Sequence, residues 1–435
     1  LSALVALRLA SPATATLSFA LLGAYALLGR RQAIHALLFS WLFLMLNPAI
    51  APTPPATTVM RYLVLLCAAA SVLLRSPFIR NSLRMSRLFA MTMVLGIFIV
   101  LHSILISPEP TISVLKGVAW TLAIMTSLAA WEGLTPESRN RTANEIFLVL
   151  LLIAFTSLLL LPAPVSYMPG KSLFRGVLGH SQALGPTLAV LAAWTSALLL
   201  QRASWPRIVI LTIIVPLIFL TGARTALLAA ILGLALGVVF TPALSRQRLL
   251  EAAPALKSRS ILLLSIVSLL LASIWMEAIT SNVSSFLNKG RQADSVLEAY
   301  EESRGDLINV MLANIRERPM FGIGFGIASD PNAMEVERFA GIPVSAAIEK
   351  GVTPIAILEE LGIVGSSLIA LWGWYLVVSG ARGGLAPLAC LSTILALNLG
   401  ESSLFSSGGM GMLSIVMIGW IVSSARSGRH QRGAT

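Results

Sequence analysis

The sequence predicts an all-α integral membrane protein of about 12 or 13 transmembrane helices with one large, partly helical outer loop. Three observations predict it. The 435 residues are 56% hydrophobic and 11% charged, with mean hydropathy +0.85, where a soluble domain is about 25% charged. The apolar runs are long and unbroken, unlike the alternating segments of about ten residues that build outer-membrane barrels. The cations collect in alternate loops, as membrane insertion requires.

Apolar runs read as helices over 12–29, 33–48, 58–74, 88–107, 113–131, 145–162, 183–200, 207–221, 225–240, 260–276, 355–380, 386–398 and 405–424. They divide the chain into an N-terminal transmembrane bundle (1–276), a large loop (277–353), C-terminal transmembrane helices (354–425) and a short basic tail (426–435), expected to be disordered. Ala24-Tyr25-Ala26 imitates a signal-peptidase site. The basic segment that should precede it is missing apart from Arg8, so no cleavage is expected. Cys67 and Cys390 lie in separate apolar runs and read as packed thiols.

The net charge of +12 invites a nucleic-acid reading, which the distribution of charge removes. The loops around 30, 75–87, 139–141, 202–207, 246–259, 382 and 426–432 carry 18 cations against four acids, Glu132, Glu137, Glu145 and Glu251. That face is expected to be cytoplasmic. The loop 277–353 then faces outward, into the periplasm of a Gram-negative cell. No nucleic-acid partner is expected.

The outward-facing segments carry the chemistry. Arg61 and Lys116 lie at the outer ends of their spans, and Arg224 lies where two short helices meet. Arg175 precedes a span, and Arg304 interrupts an apolar line formed by Leu297, Tyr300, Leu307, Met311 and Ile315. A charge at membrane depth is costly unless paired or wet. Snorkelling to the interface is the competing reading for Arg61 and Lys116, and pairing with Glu301 for Arg304. Arginine forks match phosphate oxygens bidentately, so a group of outward arginines suggests a phosphate ligand such as a lipid diphosphate.

His180 stands at a helix start in an outer loop. Glu359 and Glu360 lie in the first turns of a helix, where they complement its dipole or serve as a base. Glu401 sits in the outer segment L-G-E-S-S-L-F-S-S-G-G. The turn F-G-I-G-F-G is not a nucleotide loop, because no strand precedes it and no Lys-Ser/Thr pair follows.

Four motifs occur in order: R-G-V-L-G-H-S-Q-A-L-G, T-G-A-R-T-A-L-L, S-R-G-D with R-P-M-F-G-I-G-F-G, and I-L-E-E-L-G-I-V-G. Over about 170 to 366 this pattern resembles the O-antigen ligase and polymerase superfamily. The resemblance implies a GT-C-like, metal-independent, cofactor-free membrane glycosyltransferase in the bacterial inner membrane. Its donor would be an oligosaccharide on undecaprenyl diphosphate, its surroundings membrane lipid, and its protein partner a chain-length regulator. Carried over, the family's arginines fall on Arg175, Arg224 and Arg304, which would hold the diphosphate.

One departure separates the two activities. The family's loop histidine, aligned without gaps from Gly365 backwards, falls on Gly351, where this chain reads Glu349-Lys350-Gly351. The reading therefore leans to an inverting polysaccharide polymerase. An O-antigen ligase is the enzymatic alternative and a transporter the alternative of another class. Glu349 is the first candidate for the base that activates the acceptor hydroxyl, with His180 and Glu360 behind it. Lys350 and Glu401, with Arg61 and Lys116, are candidates for further substrate contacts.

Overall fold

The computed structural model describes residues 1–53, 57–75, 86–245, 248–258, 296–331, 334–346, 348 and 350–432. For 57, 296–304, 306, 342 and 426–432 it describes the backbone. The expected span 260–276 and the first part of the large loop lie outside the described residues. Every other expected apolar run falls on a helix.

In chain order these are α1 (Ser2–Ala10), α2 (Pro12–Ala26), α3 (Arg30–Met45), α4 (Thr57–Leu74), α5 (Arg87–Leu105), α6 (Pro110–Glu132) and α7 (Pro136–Leu159). Then come α8 (Ser181–Gln201), α9 (Trp205–Thr221), α10 (Arg224–Ser245), α11 (Val296–Glu317), α12 (Thr353–Gly383), α13 (Leu385–Leu397) and α14 (Gly409–Arg432). Among the described residues, six helices are long and apolar enough to cross a membrane: α5, α6, α7, α8, α10 and α12. The apolar parts of α4, α9, α13 and α14 are shorter. Leucines such as Leu105 and Leu152 stand exposed on these helices. Such surface is costly in water and neutral against lipid tails. The protein is an all-α, multi-pass membrane protein.

The N- and C-terminal helices share one core rather than forming separate bodies. Trp194 of α8 stacks on Trp420 of α14 at 4.1 Å, and Trp120 of α6 meets Trp372 of α12 edge-on at 5.8 Å. Each indole at this second contact is satisfied: Trp120 Nε1 donates to Leu404 O and Trp372 Nε1 to Thr92 Oγ1. Helix α10 runs against α13 with Gly233 and Gly237 facing Thr393 and Ala389, the small-residue contact that lets membrane helices approach closely.

The basic and the polar loops lie at opposite ends. At one end Arg30 reaches Gly133 O and Arg75 O, and Arg139 donates to Ser423 O. Arg31 and Arg141 meet Glu145 there. At the other end Asn47 donates to Val165 O and Gly176 O, and Thr353 to Glu401 O.

Two expectations are corrected and one feature was not expected. The helix read over 355–380 is interrupted at Gly362, whose φ of 63° and ψ of −168° are non-helical. The large loop contains a small antiparallel hairpin, β1 (Val336–Phe339) and β2 (Ile342–Ala346), with Val336 opposite Ala346. The basic tail, expected to be disordered, continues α14 as helix to Arg432.

Candidate functional site

The site begins where α11 stops. Pro319 cannot continue a helix, and Gly322, Gly324 and Gly326 take φ of 69°, 126° and 65°. This turn fits into the break of α12. Ile323 N donates to Glu359 O at 2.9 Å and Gly324 N to Glu360 O at 3.0 Å. In return Ile363 N donates to Pro319 O and Val364 N to Met320 O. Backbone groups that the interruption frees are thus satisfied by a second segment, as membrane depth demands. The two backbones lie so close that a Cβ at Gly322 would meet Glu359 O, and one at Gly362 would meet Met320 O. Glycine is needed at both positions for space as well as for φ.

Helices α5 and α6 hold the turn from below. His102 Nε2 donates to Phe321 O, Ser113 Oγ to Phe325 O at 2.6 Å, and Lys116 Nζ to Gly326 O at 3.0 Å. Lys116 Nζ also donates to Ala346 O of β2 at 3.0 Å.

The interlock fixes the two carboxylates of α12 in different settings. Glu359 is fully buried. It accepts from Asn314 Nδ2 at 2.6 Å, Ser329 Oγ at 3.1 Å and Lys350 Nζ at 2.6 Å. Glu360 has its side chain 12% exposed. Its Oε2 accepts from Gly326 N at 2.7 Å, and its Oε1 lies 3.0 Å from Lys350 Nζ. Lys350 bridges both acids.

Glu360 lines a cleft of about 170 Å³. Arg61, Tyr62 and Lys116 form one wall, and Ser402, Ser406 and Ser407 another. Phe325 and Phe405 form an apolar part of the lining, with Phe405 packed at 5.0 Å on Trp120. The hairpin borders it through Ser345 and Ala346. Tyr62 anchors that border by donating to Val344 O at 3.2 Å.

The structure thus brings together Arg61, Lys116, Glu360 and, just behind them, Lys350. It does not bring Lys350 to the cleft surface, since the side chain is 1% exposed. Of the arginines expected to hold diphosphate, Arg175 and Arg224 do not line this cleft. Arg175 is buried, with Nε and Nη2 donating to Val165 O at 3.3 and 3.2 Å. Its bonds close the loop between α7 and α8. Arg224 begins α10, with Ala223 between it and the left-handed Gly222 that caps α9. Arg304 lies on α11 by its backbone, and its side chain lies outside the described residues, as does Glu349.

His180 is the N-cap of α8, its Nδ1 accepting from Gln182 N at 3.0 Å. The residue is exposed, but partial desolvation, aided by Lys171 and Arg175, lowers its pKa from the ordinary histidine value. Glu401 lines a separate small cavity with Gln182 and Asn398.

Sequence reasoning missed Asn314, Ser329 and Gly362. Asn314 had a signal: it lies three residues after buried Met311, on the face of α11 read as apolar. Ser329 had none.

Compared with known proteins, the chain matches no family model, and no curated protein matches it significantly. The likeness to the O-antigen ligase and polymerase superfamily therefore rests on the four motifs. The third and fourth of them are the two partners of the interlock.

Proposed function

We propose that the protein is an inverting membrane glycosyltransferase that polymerises oligosaccharide repeats carried on undecaprenyl diphosphate, acting at the periplasmic face of the inner membrane. The observation that carries this reading is the cleft on which Arg61, Lys116 and Glu360 converge. The acceptor hydroxyl attacks the anomeric carbon, the bond from that carbon to the diphosphate oxygen breaks, and the diphosphate leaves with the electron pair. Cations fixed beside the leaving group stabilise the developing charge without reorganisation. A carboxylate takes the hydroxyl proton, a role worth about 10²–10⁴-fold. Among the described residues Glu360 is the carboxylate on the cleft, and Glu349 is the candidate outside them.

A broken helix also serves transporters, whose freed carbonyls coordinate ions. Here the carbonyls of Glu359 and Glu360 accept from the amides of Ile323 and Gly324, which favours a rigid site. Gly351 in place of the ligase histidine favours polymerisation over ligation. The glycans of a deletion strain test the choice. Lipid A-core carrying a single repeat supports the polymerase, polymer stranded on its lipid carrier supports a ligase, and a cytoplasm-facing precursor supports transport.

A further inference from the structure

We infer that the anionic end of the ligand is seated between Arg61 and the serine-rich turn 402–408, a diphosphate site assembled from α4 and the α13–α14 connection. This deepens the polymerase reading and rests on it for the identity of the carrier lipid. The seat itself stands on geometry.

Arg61 is the unspent guanidinium of the cleft. Its Nη2 donates to Tyr62 OH at 3.2 Å, and its carbon lies 4.8 Å from the centre of the Tyr62 ring. Its Nε is buried and has no hydrogen-bond partner among the described residues. A buried donor without a partner is costly, more so when charged, so a ligand that supplies an acceptor is favoured. No carboxylate among the described residues forms an ion pair with Arg61, whereas Glu359 and Glu360 are already paired with Lys350. The ring contact orients the fork, and a planar fork suits phosphate oxygens.

The facing turn supplies small donors. Ser402, Ser407 and Ser345 line the cleft, and their hydroxyls make no hydrogen bond among the described residues. Asn398 holds the turn rigid: its Oδ1 accepts from Ser403 N at 3.0 Å and Leu404 N at 2.9 Å. Gly408 leaves the room that Arg61 occupies, since a Cβ there would collide with Arg61 Nη1. Lys116 completes the set. Two of its three ammonium protons go to Gly326 O and Ala346 O, and the third remains for the ligand. Two fixed cations and several hydroxyls match a multiply charged diphosphate better than a neutral sugar or a singly charged headgroup.

The test is direct binding by the full chain in phosphatidylcholine nanodiscs, with undecaprenyl diphosphate and inorganic pyrophosphate as probes. Saturable binding of the lipid probe is expected, and pyrophosphate binding in addition shows that the phosphates alone suffice. Losing a charge-assisted contact corresponds to about a 10- to 100-fold weakening, expected for Arg61→Gln. Arg61→Lys should recover part of it. Gly408→Ala should weaken binding at unchanged charge. Wild-type affinity in both Arg61→Gln and Gly408→Ala overturns the seat, as does equal competition by phosphatidylglycerol. A protein that binds through Arg61 yet extends no glycan overturns the polymerase reading and leaves the seat standing. Glycan extension by Arg61→Gln at wild-type KM does the reverse.

Discussion

Lys350 Nζ lies 2.6 Å from Glu359 Oε2, and the two side chains are 1% and 0% exposed. Removing one member of a buried pair strands the other charge and costs about 3–5 kcal/mol, whereas replacing both with apolar groups is often neutral. Lys350→Met should therefore lower the melting temperature in detergent sharply. Lys350→Met combined with Glu359→Leu should recover part of the loss and not all of it, because Glu360 still lacks its cation. A single variant as stable as wild type would mean that the pair does not hold α12 to its loop.

The interlock makes a separate prediction. Gly322→Ala and Gly362→Ala each place a Cβ against backbone that cannot yield, at a φ that side chains rarely adopt. Each should cost about 1–3 kcal/mol, read as a drop in thermal stability. Gly373 lies in the helical part of α12 with open space around it. Gly373→Ala should be tolerated, because it meets neither obstacle. A thermal loss there as large as at Gly362 would point to general helix sensitivity instead.

The sequence showed the helices well because lipid exposure imposes long apolar runs. The motifs R-P-M-F-G-I-G-F-G and I-L-E-E-L-G-I-V-G, whose backbones interlock in the fold, also stood out in it. It did not show the break at Gly362, since I-L-E-E-L-G-I-V-G reads as continuous apolar helix. The break exists because the turn after Pro319 supplies the missing hydrogen bonds, a long-range relationship no local pattern carries. For the same reason Arg175 read as a ligand residue: its sequence neighbourhood fits, but its guanidinium is spent on Val165 O. Arg61 and Lys116 were legible as costly charges, and Ser402 and Ser407 were not, because exposed serines are common.

His180 gives a pH prediction. Its pKa is depressed in the fold, so the folded state favours the neutral ring that accepts from Gln182 N. The stabilisation is full above the unfolded value near 6.5 and is lost as pH falls through the lower folded value. Thermal stability should decline on acidification from about pH 7 to 5. His180→Asn keeps an N-cap acceptor and should flatten that decline. An unchanged pH slope in His180→Asn would assign it to other groups.

Topology follows from the charge distribution. Glu335 is exposed just before β1. A cysteine there, with Cys67 and Cys390 replaced by serine, should react with an impermeant maleimide once only the outer membrane is permeabilised. Reaction only after the inner membrane is lysed would reverse the orientation.

The most direct test of glycan polymerisation is turnover by the purified chain in proteoliposomes supplied with a polyprenyl-diphosphate-linked repeat. The expected result is a ladder of longer lipid-linked glycans, one free polyprenyl diphosphate released per repeat added, and a rate about 10²–10⁴-fold lower in Glu360→Gln. Folded, correctly oriented protein that binds the donor and yields nothing longer than the single repeat would contradict the proposed function.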